Sequence, residues 1–131
     1  NYFGVDDGLL AAAKVASIVS RSGQKISELL ADVPQTFATP ELKLPIDDSQ
    51  KFATLQKIVA EFAAEFENTD QLDGIRVSFP DGSWGLVRAS NTSPVLTSRF
   101  EALTAERLAE IKKLFRERLQ KHPELDSSPL D

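Results

Sequence analysis

The sequence predicts an α+β fold in which a four-stranded antiparallel sheet is covered by two helices. Two observations carry this prediction. Beyond Pro40, apolar residues alternate in four short segments and recur every three or four residues in two longer ones. The elements follow one another in the order β-α-β-β-β-α, so the last three strands are joined by short connections, as in antiparallel sheets. A further helix precedes this unit.

The first helix is predicted to begin at Asp6 or Asp7, either of which can cap its first turn, and to end at Gly23. One face of this helix carries small and apolar side chains at helical spacing: Leu9, Ala12, Ala13, Ala16 and Val19. Since an alanine-rich face favours close packing, we expect a neighbouring domain to cover it. Residues 1–34 are therefore assigned to the end of a preceding domain.

A proline-containing segment separates that helix from the α+β unit. Ser27 is expected to cap a short helical turn before it. Pro34 and Pro40 then favour extended backbone in the residues that precede them. We predict a linker or domain boundary at residues 35–40, where a hinge would lie.

The first strand of the α+β unit is predicted at residues 41–46, where Pro45 favours a position at or near the edge of the sheet. Asp47, Asp48 or Ser49 can cap the helix that follows. The buried stripe of this helix is predicted from its spacing: Phe52, Leu55, Val59, Phe62 and Phe66.

Three further strands are predicted from alternating apolar residues: 74–79, 84–90 and 94–102. The sequence PDGS at residues 80–83 is typical of a hairpin turn. Thr104 is then expected to cap the last helix, whose buried stripe is predicted to be Leu108, Ile111, Phe115 and Leu119. We assign residues 41–122 to one domain.

The end of the chain is expected to be exposed. The single histidine, His122, follows the last helix beside Pro123, where a solvated side chain is the simplest interpretation. Residues 123–131 contain two prolines and three acidic residues. We predict that they form a flexible tail.

Charge and hydropathy exclude two kinds of partner. The formal net charge is −5 at pH 7 and the pI is near 4.9, whereas a nucleic-acid-binding surface needs clustered lysine and arginine. No segment approaches the roughly 18 consecutive apolar residues of a transmembrane helix. We therefore expect neither a nucleic acid nor a membrane as partner.

Residue usage also indicates a compartment and an origin. The chain has no cysteine, which excludes disulfides and thiolate metal sites and fits a reducing, cytoplasmic location. It has no methionine, not even an initiator, and it opens on Asn1 followed by the aromatic residues Tyr2 and Phe3, an apolar start. We expect it to be a piece of a longer protein.

The connection before the last strand, RASNTSP at residues 88–94, is the best candidate for a binding site. Arg88 can offer a phosphate two parallel hydrogen bonds. The hydroxyls of Ser90 and Thr92, the amide of Asn91 and the N–H groups of a tight turn can surround the remaining oxygens. Serine, asparagine and threonine also fill ordinary turns, so spacing alone leaves an anion site and a plain turn as alternatives.

Other polar residues suggest no catalytic or metal centre. The single histidine stands alone at the end of the last predicted helix. It therefore supports neither a metal site nor a nucleophile–histidine–acid triad. Glu61, Glu65 and Glu67, and the acidic residues between Glu106 and Glu117, which are interspersed with lysine and arginine, are typical of solvated helix faces. We therefore assign no catalytic residue and no metal ligand to this chain.

The segment LDGIRVSFPDGSWGLVRASNTSPVLTSRFEA, residues 72–102, resembles the end of the α-D-phosphohexomutases, which interconvert 1-phospho and 6-phospho sugars. The resemblance is to their phosphomannomutase/phosphoglucomutase branch. YFGVDDGLLAAAKV, residues 2–15, is similar to the helix that closes their third domain. Three positions bear on the choice of branch. The glucosamine enzymes usually have glycine at the position of Asn91 and proline at that of Ala89, so that branch fits less well. Many relatives have glutamate at the position of Ser93, where this chain departs from them.

The resemblance implies a C-terminal domain related in shape to the TATA-binding-protein fold. It further implies that Arg88, Ser90, Asn91 and Thr92 bind the substrate phosphate that is not being transferred. The phosphorylated hexose, mannose or glucose, and the remaining domains of the parent enzyme would be the partners.

The family's phosphoserine, its acidic magnesium loop and its sugar loop would lie upstream of Asn1. Mg²⁺ is thus expected in the full-length enzyme and not in this piece, which alone should be inactive. Hexose 1,6-bisphosphate is expected as intermediate and activator of the full-length enzyme. The alternative is a small α+β protein-interaction module without a catalytic role, docking through its sheet edge or its first helix.

Overall fold

The computed structural model describes residues 4–131, which divide after Gln35 into two compact units. In the first unit, α1 (Gly8–Ser22) begins at the N-cap Asp7, whose carboxylate accepts the N–H of Leu10 at 2.9 Å. It ends at Gly23, which has a φ of 66°. The predicted cap and stop are thereby confirmed, whereas the apolar start at residues 1–3 lies outside the described residues.

The short helical turn predicted after α1 is present, but its cap differs from the expected one. Residues 26–32 are consecutive turns, and the N–H of Leu29 donates to the Lys25 carbonyl at 3.2 Å, which closes one helical turn. The N–H of Lys25 donates to the Glu28 carboxylate at 2.8 Å, and the N–H of Glu28 donates to the Lys25 carbonyl at 3.0 Å. The cap predicted at Ser27 is therefore wrong, because the Glu28 side chain closes this turn from its other end.

The second unit, residues 36–131, has an α+β fold with one antiparallel sheet. Its strands are β1 (Phe37–Ala38), β2 (Leu42–Pro45), β3 (Thr69–Asp70), β4 (Gly74–Ser78), β5 (Trp84–Ala89) and β6 (Val95–Ala102). Its α-helices are α2 (Lys51–Glu65) and α3 (Ala105–Leu119), and a 3₁₀ turn follows at Ser128–Leu130. The predicted number of four strands is corrected to six within the described residues, because β1 and β3 are too short to carry an alternating pattern. The likeness to the TATA-binding-protein fold stays a prediction.

The sheet runs in the order β1-β6-β5-β4-β3, and β2 pairs with β6 beyond the end of β1. Phe37 lies opposite Ala102, whereas Pro45 lies opposite Val95, so β1 and β2 together form one edge along β6. The edge position predicted for Pro45 is confirmed. Thr39 also exchanges two hydrogen bonds with Phe100, at 3.0 and 3.1 Å. Residues 37–39 of the predicted hinge are thus bonded to the sheet.

The turn predicted at residues 80–83 is confirmed as the hairpin between β4 and β5. The N–H of Phe79 donates to the Ser83 carbonyl at 2.8 Å. The Asp81 carboxylate accepts the hydroxyl and the N–H of Ser83, and Arg107 donates to it at 2.7 Å. These hydrogen bonds, above all the one from the Ser83 hydroxyl, lower the pKa of Asp81.

The core lies between the sheet and the two helices of the second unit. α3 is capped by Thr104, whose hydroxyl accepts the N–H of Arg107 at 3.1 Å, as predicted. Its buried residues Ile111, Phe115 and Leu119 confirm the predicted stripe, with Leu108 packed at its margin. Within residues 4–131, no helix combines the length and the hydropathy needed to cross a bilayer.

α2 is rotated relative to the prediction. Its buried residues are Lys51, Thr54, Leu55, Ile58 and Phe62. Phe52 is 56% exposed, so its predicted burial is wrong, while Val59 and Phe66 pack at the margin of the core. Gln50 is the N-cap and makes no side-chain hydrogen bond to the described chain. The carboxylate of Asp47, one of the predicted caps, instead accepts the hydroxyl and the N–H of Ser49, which lowers the pKa of Asp47.

The end of the chain packs onto the core, contrary to the predicted flexible tail. Leu125 and Leu130 are buried, and the N–H of Asp126 donates to the Pro45 carbonyl at 2.9 Å. His122 is only 6% exposed, with Nε2 3.3 Å from the Glu61 carboxylate. The prediction of a solvated histidine is therefore wrong, because the residues that follow it fold back over β2.

Candidate functional site

Arg88 lies in the central part of the sheet, near the end of β5. It alternates with Val87 and Ala89, which belong to the core, so its side chain lies on the face opposite the helices. There it lines a cavity of about 280 Å³ together with Trp84 and Leu86. Arg88 also borders a larger cleft of about 520 Å³ between α2 and residues 71–74.

Two carboxylates flank the guanidinium of Arg88. Its Nη2 is 3.6 Å from the Glu41 carboxylate and its Nη1 is 3.5 Å from that of Asp73, and 44% of its side chain is exposed. Both contacts are longer than normal hydrogen bonds, and the guanidinium donates none to any described residue. Its charge is thus balanced by neighbouring acids while its N–H donors stay available to a ligand.

The close pairing of β4 and β5 at Gly74 positions Arg88. Gly74 lies opposite Arg88 in the sheet and has a φ of 156°. A Cβ at this position would be 2.2 Å from the Val87 carbonyl oxygen and 2.8 Å from the Arg88 Cα. Because both of these contacts are with backbone atoms, β4 and β5 can pair this closely only when residue 74 is a glycine.

Gly74→Ala is expected to destabilise the chain by about 1–3 kcal/mol, the usual cost of an overpacked site, and to displace Arg88. The measurement is urea-induced unfolding, together with the amide chemical shifts of residues 86–90. Gly8→Ala is the control, since a Cβ at Gly8 meets nothing within 4 Å. Equal stability of the two variants would contradict this role of Gly74.

The connection from β5 to β6 is a short loop held at both ends. The N–H of Ser90 donates to the Val95 carbonyl at 3.1 Å, and the N–H of Val95 donates to the Ser93 carbonyl at 2.9 Å. The Ser90 hydroxyl accepts the N–H of Thr92 at 3.4 Å. Within residues 4–131, the N–H groups of Asn91 and Ser93 donate to no protein acceptor. The loop therefore offers backbone donors that its own structure does not use.

The predicted site residues surround more than one cavity. Arg88 and Asn91 both border the cleft of about 520 Å³. Asn91 and Thr92 border a further cavity of about 310 Å³, and both are exposed. Ser90 is half-buried, and its hydroxyl is directed to the N–H of Thr92 within the loop.

Sequence reasoning missed three charged residues around this site. Glu41 and Asp73 flank Arg88, and the hairpin register alone could have placed Asp73 there, since it adjoins the partner of Arg88. Lys51 is buried beneath the loop, and its Nζ donates to the Ser93 carbonyl at 3.0 Å. No pattern in the sequence links Lys51 to a loop 42 residues away.

The acidic residues do not form a metal centre in the described part of the chain. Among residues 4–131, no three aspartate, glutamate or histidine side chains lie close enough to hold a metal ion. Glu41 and Asp73, the acids nearest the loop, are each in contact with Arg88. The site offers instead the positive charge of Arg88 and the unused N–H donors of the loop, groups of the kind that bind anions.

Residues 41–118 match the family model described as "Phosphoglucomutase/phosphomannomutase, C-terminal domain". The chain is 40% identical over 119 residues to a phosphomannomutase/phosphoglucomutase of Pseudomonas aeruginosa. The aligned region covers 91% of this chain and 26% of that protein. It is 41% identical over 128 residues to a phosphoglucomutase of Neisseria meningitidis serogroup B, covering 95% of this chain and 27% of that protein.

A crystal structure shares the fold of the chain. It is that of a phosphoglucomutase/phosphomannomutase family protein from Burkholderia thailandensis, with a TM-score of 0.68 and 36% identity over 92% of this chain and 25% of that one. The chain spans about a quarter of the length of these relatives. From the family match over more than half of its residues, together with these relatives, the chain belongs to the phosphoglucomutase/phosphomannomutase family, and residues 41–118 correspond to its C-terminal domain.

Proposed function

We propose that this chain is the substrate-phosphate-binding part of a phosphomannomutase/phosphoglucomutase, an isomerase that interconverts hexose 1-phosphate and hexose 6-phosphate. Arg88, Ser90, Asn91 and Thr92 bind the phosphate that is not being transferred. The observation that carries the proposal is that Arg88, whose guanidinium is half-exposed and donates no hydrogen bond to a described residue, borders the same cleft as Asn91 of the loop with unused N–H donors. Charge-assisted hydrogen bonds from such donors are the strong ones in phosphate recognition.

The reaction requires a phosphate site that accepts either end of the sugar. In the parent enzyme a phosphoserine donates its phosphoryl group, hexose 1,6-bisphosphate forms, and the other phosphate is returned to the serine. A phosphate presents similar oxygens whichever carbon carries it, so one arginine and one loop can hold both orientations. Catalysis of phosphoryl transfer depends mainly on such positioning and on electrostatic stabilisation.

Magnesium takes no part in this proposal. The parent enzyme is expected to use Mg²⁺, but residues 4–131 bring together no acidic cluster that fits this ion. The proposed binding of the phosphate by Arg88 and the loop therefore involves no metal ion. The residues of this chain bind and orient the phosphate, and without the rest of the enzyme the chain is expected to lack mutase activity.

We further propose that residues 35–40 contain the hinge through which this domain closes over the substrate, with residues 1–34 ending the preceding domain. The boundary between the two compact units falls within this segment, after Gln35. Closure of a domain around a substrate excludes water and completes the site. The phosphorylated hexose and the other domains of the enzyme are the partners in this proposal, and a cytoplasmic location stays a prediction.

The test is a two-dimensional amide NMR titration of the 131-residue chain with glucose 1-phosphate and mannose 6-phosphate. Glucose is the control, since it lacks the phosphate. We expect shifts confined to residues 88–94 with both phosphorylated sugars and none with glucose. If these amides stay unchanged at millimolar sugar phosphate, the preformed phosphate site is contradicted, and the interpretation as a protein-interaction module gains support.

Asp73→Asn is expected to tighten the binding of glucose 1-phosphate by up to about fivefold, the effect of one exposed charge pair. The Asp73 carboxylate is 3.5 Å from Nη1 of Arg88, where it competes with a phosphate and repels it. The dissociation constant from the same titration measures this effect. Asp32→Asn removes an equal charge from an exposed position in the first unit and should change nothing. Weaker binding by Asp73→Asn would show that Asp73 orients Arg88 instead of competing for it.

A further inference from the structure

A buried lysine lies directly beneath the loop at residues 90–94. Lys51 is 2% exposed and is the first residue of α2. Its Nζ donates to the Asp48 carboxylate at 2.7 Å and to the Ser93 carbonyl at 3.0 Å. With Asn91, Thr92, Ser93 and Pro94 it lines the cavity of about 310 Å³. None of the roles proposed above uses this ammonium group.

Local physical chemistry disfavours a lysine at this position. A cation in the first turn of a helix opposes the helix dipole, which favours negative charge there. Burial removes the ammonium from water, which is costly unless hydrogen bonds replace the lost hydration. The paired acid, Asp48, is itself 73% exposed and only three residues away, so this ion pair gives little in return. A residue that breaks local rules in this way commonly serves a function.

The distant contact of Lys51 fixes the exit of the loop. The Ser93 carbonyl accepts two donors, the Lys51 Nζ at 3.0 Å and the N–H of Val95 at 2.9 Å. The next carbonyl, that of Pro94, accepts the N–H of Ile46 at 3.2 Å. With its exit held from outside, the loop keeps its shape without using the N–H groups of Asn91 and Ser93.

We propose that Lys51 is a positioning residue for phosphate binding: its ammonium holds the Ser93 carbonyl and thereby presets the N–H groups of Asn91 and Ser93 for the anion. The inference rests on the proposed function of the loop. The ammonium also places a positive charge behind the loop, in a protein whose net charge is −5. Asp48, on the solvent side, balances this charge but does not shape the loop.

Three variants of the 131-residue chain test this role. Lys51→Met removes the ammonium and keeps an unbranched apolar stem. Lys57→Met, at an exposed position of the same helix, removes the same charge away from the loop. Asp48→Asn removes the acidic partner of Lys51 and leaves its bond to Ser93.

We expect Lys51→Met to weaken the binding of glucose 1-phosphate about tenfold or more, as for the loss of one charged hydrogen bond. The amides of residues 91–95 should shift in this variant before any ligand is added. Lys57→Met should match the wild type, and Asp48→Asn should bind at least as tightly as the wild type. A loss in Asp48→Asn equal to that in Lys51→Met would overturn the role, since the ion pair would then be the cause.

A measurement on the wild type keeps the inference testable where Lys51→Met does not fold. The ¹⁵N resonance of the Lys51 Nζ should move with glucose 1-phosphate and stay unchanged with glucose. No movement, in a chain whose loop amides do respond to the phosphate, would overturn the coupling between Lys51 and the bound anion.

The two proposals fail in different ways. If the wild type binds glucose 1-phosphate and Lys51→Met binds it equally well, the positioning role is wrong and the phosphate site stands. If the wild type does not bind it, the proposed function fails, and the ligand-free shifts of residues 91–95 still decide whether Lys51 shapes the loop. Unchanged ligand-free shifts in Lys51→Met would contradict the inference in either case.

Discussion

Arg88→Gln is expected to weaken the binding of glucose 1-phosphate to this chain by about 100-fold or more. Two charge-assisted hydrogen bonds from one guanidinium contribute about 1.5–3 kcal/mol each, and every 1.4 kcal/mol is a factor of ten in affinity. Glutamine keeps a polar side chain at this position but loses the charge and the forked geometry. The dissociation constants of the variant and the wild type, from amide titrations under equal salt, measure the effect.

Stability is expected to change little in Arg88→Gln. The contacts of Arg88 to Glu41 and Asp73 are 3.6 and 3.5 Å long and half-exposed, and such pairs contribute about 0–1 kcal/mol. The control for the affinity measurement is Arg76→Gln, which removes an equal charge from β4. The Arg76 guanidinium lies over the Trp84 ring, 4.9 Å from its centroid. The assignment of Arg88 would be contradicted if both variants lost the same affinity.

Phe115→Ala is expected to lower the free energy of unfolding by about 3–5 kcal/mol, the usual range for a buried aromatic residue. Phe115 is fully buried, with its ring centroid 4.8 Å from that of Phe62 and 5.1 Å from that of Phe100. Its ring also lies against Gly85, where a Cβ would approach it to 2.6 Å. No neighbouring backbone atom can fill the resulting cavity without moving the sheet. Urea-induced unfolding of the chain measures the loss.

Phe52→Ala is the matched control, because it removes the same ring from a side chain that is 56% exposed. Its expected cost is within about 1 kcal/mol, as for other surface positions. A cost equal to that of Phe115→Ala would restore the sequence prediction of a buried Phe52. Phe115 lines none of the three cavities that Arg88 or the loop borders, so the folded Phe115→Ala variant should still bind the sugar phosphate.

The sequence predicted α3 well because independent signals agree there. Thr104 is a favourable cap, and the apolar residues that follow at helical spacing define one stripe. In α2 the signals conflict, since the residues that begin its buried stripe are the polar Lys51 and Thr54. Thr54 is buried against Glu124, 70 residues away, and no local pattern can indicate such a partner. The spacing of apolar residues therefore favours the aromatic Phe52 over its polar neighbours.

Tertiary contacts also decide the parts that the pattern missed. β1 and β3 have two residues each and exist only because β6 and β4 lie beside them. Leu125 and Leu130 are isolated among polar residues, and their burial depends on β2 and α3.

At the candidate site, a single motif suggested Arg88, Ser90, Asn91 and Thr92. The charges around them come from other segments: Glu41 precedes β2, Asp73 precedes β4, and Lys51 begins α2.

The strand β6 connects the two places where this domain is expected to act. Its last residue, Ala102, pairs with Phe37 just after the boundary between the units, and its first, Val95, adjoins the loop. Over eight residues it is about 24 Å long at about 3.4 Å per residue. The loop lies one strand length away from the boundary. A rotation of about 10° around residues 35–36 would therefore move the loop by about 4 Å at this strand length. In the domain closure proposed above, a modest rotation at this boundary would therefore move the proposed phosphate-binding loop by several ångströms.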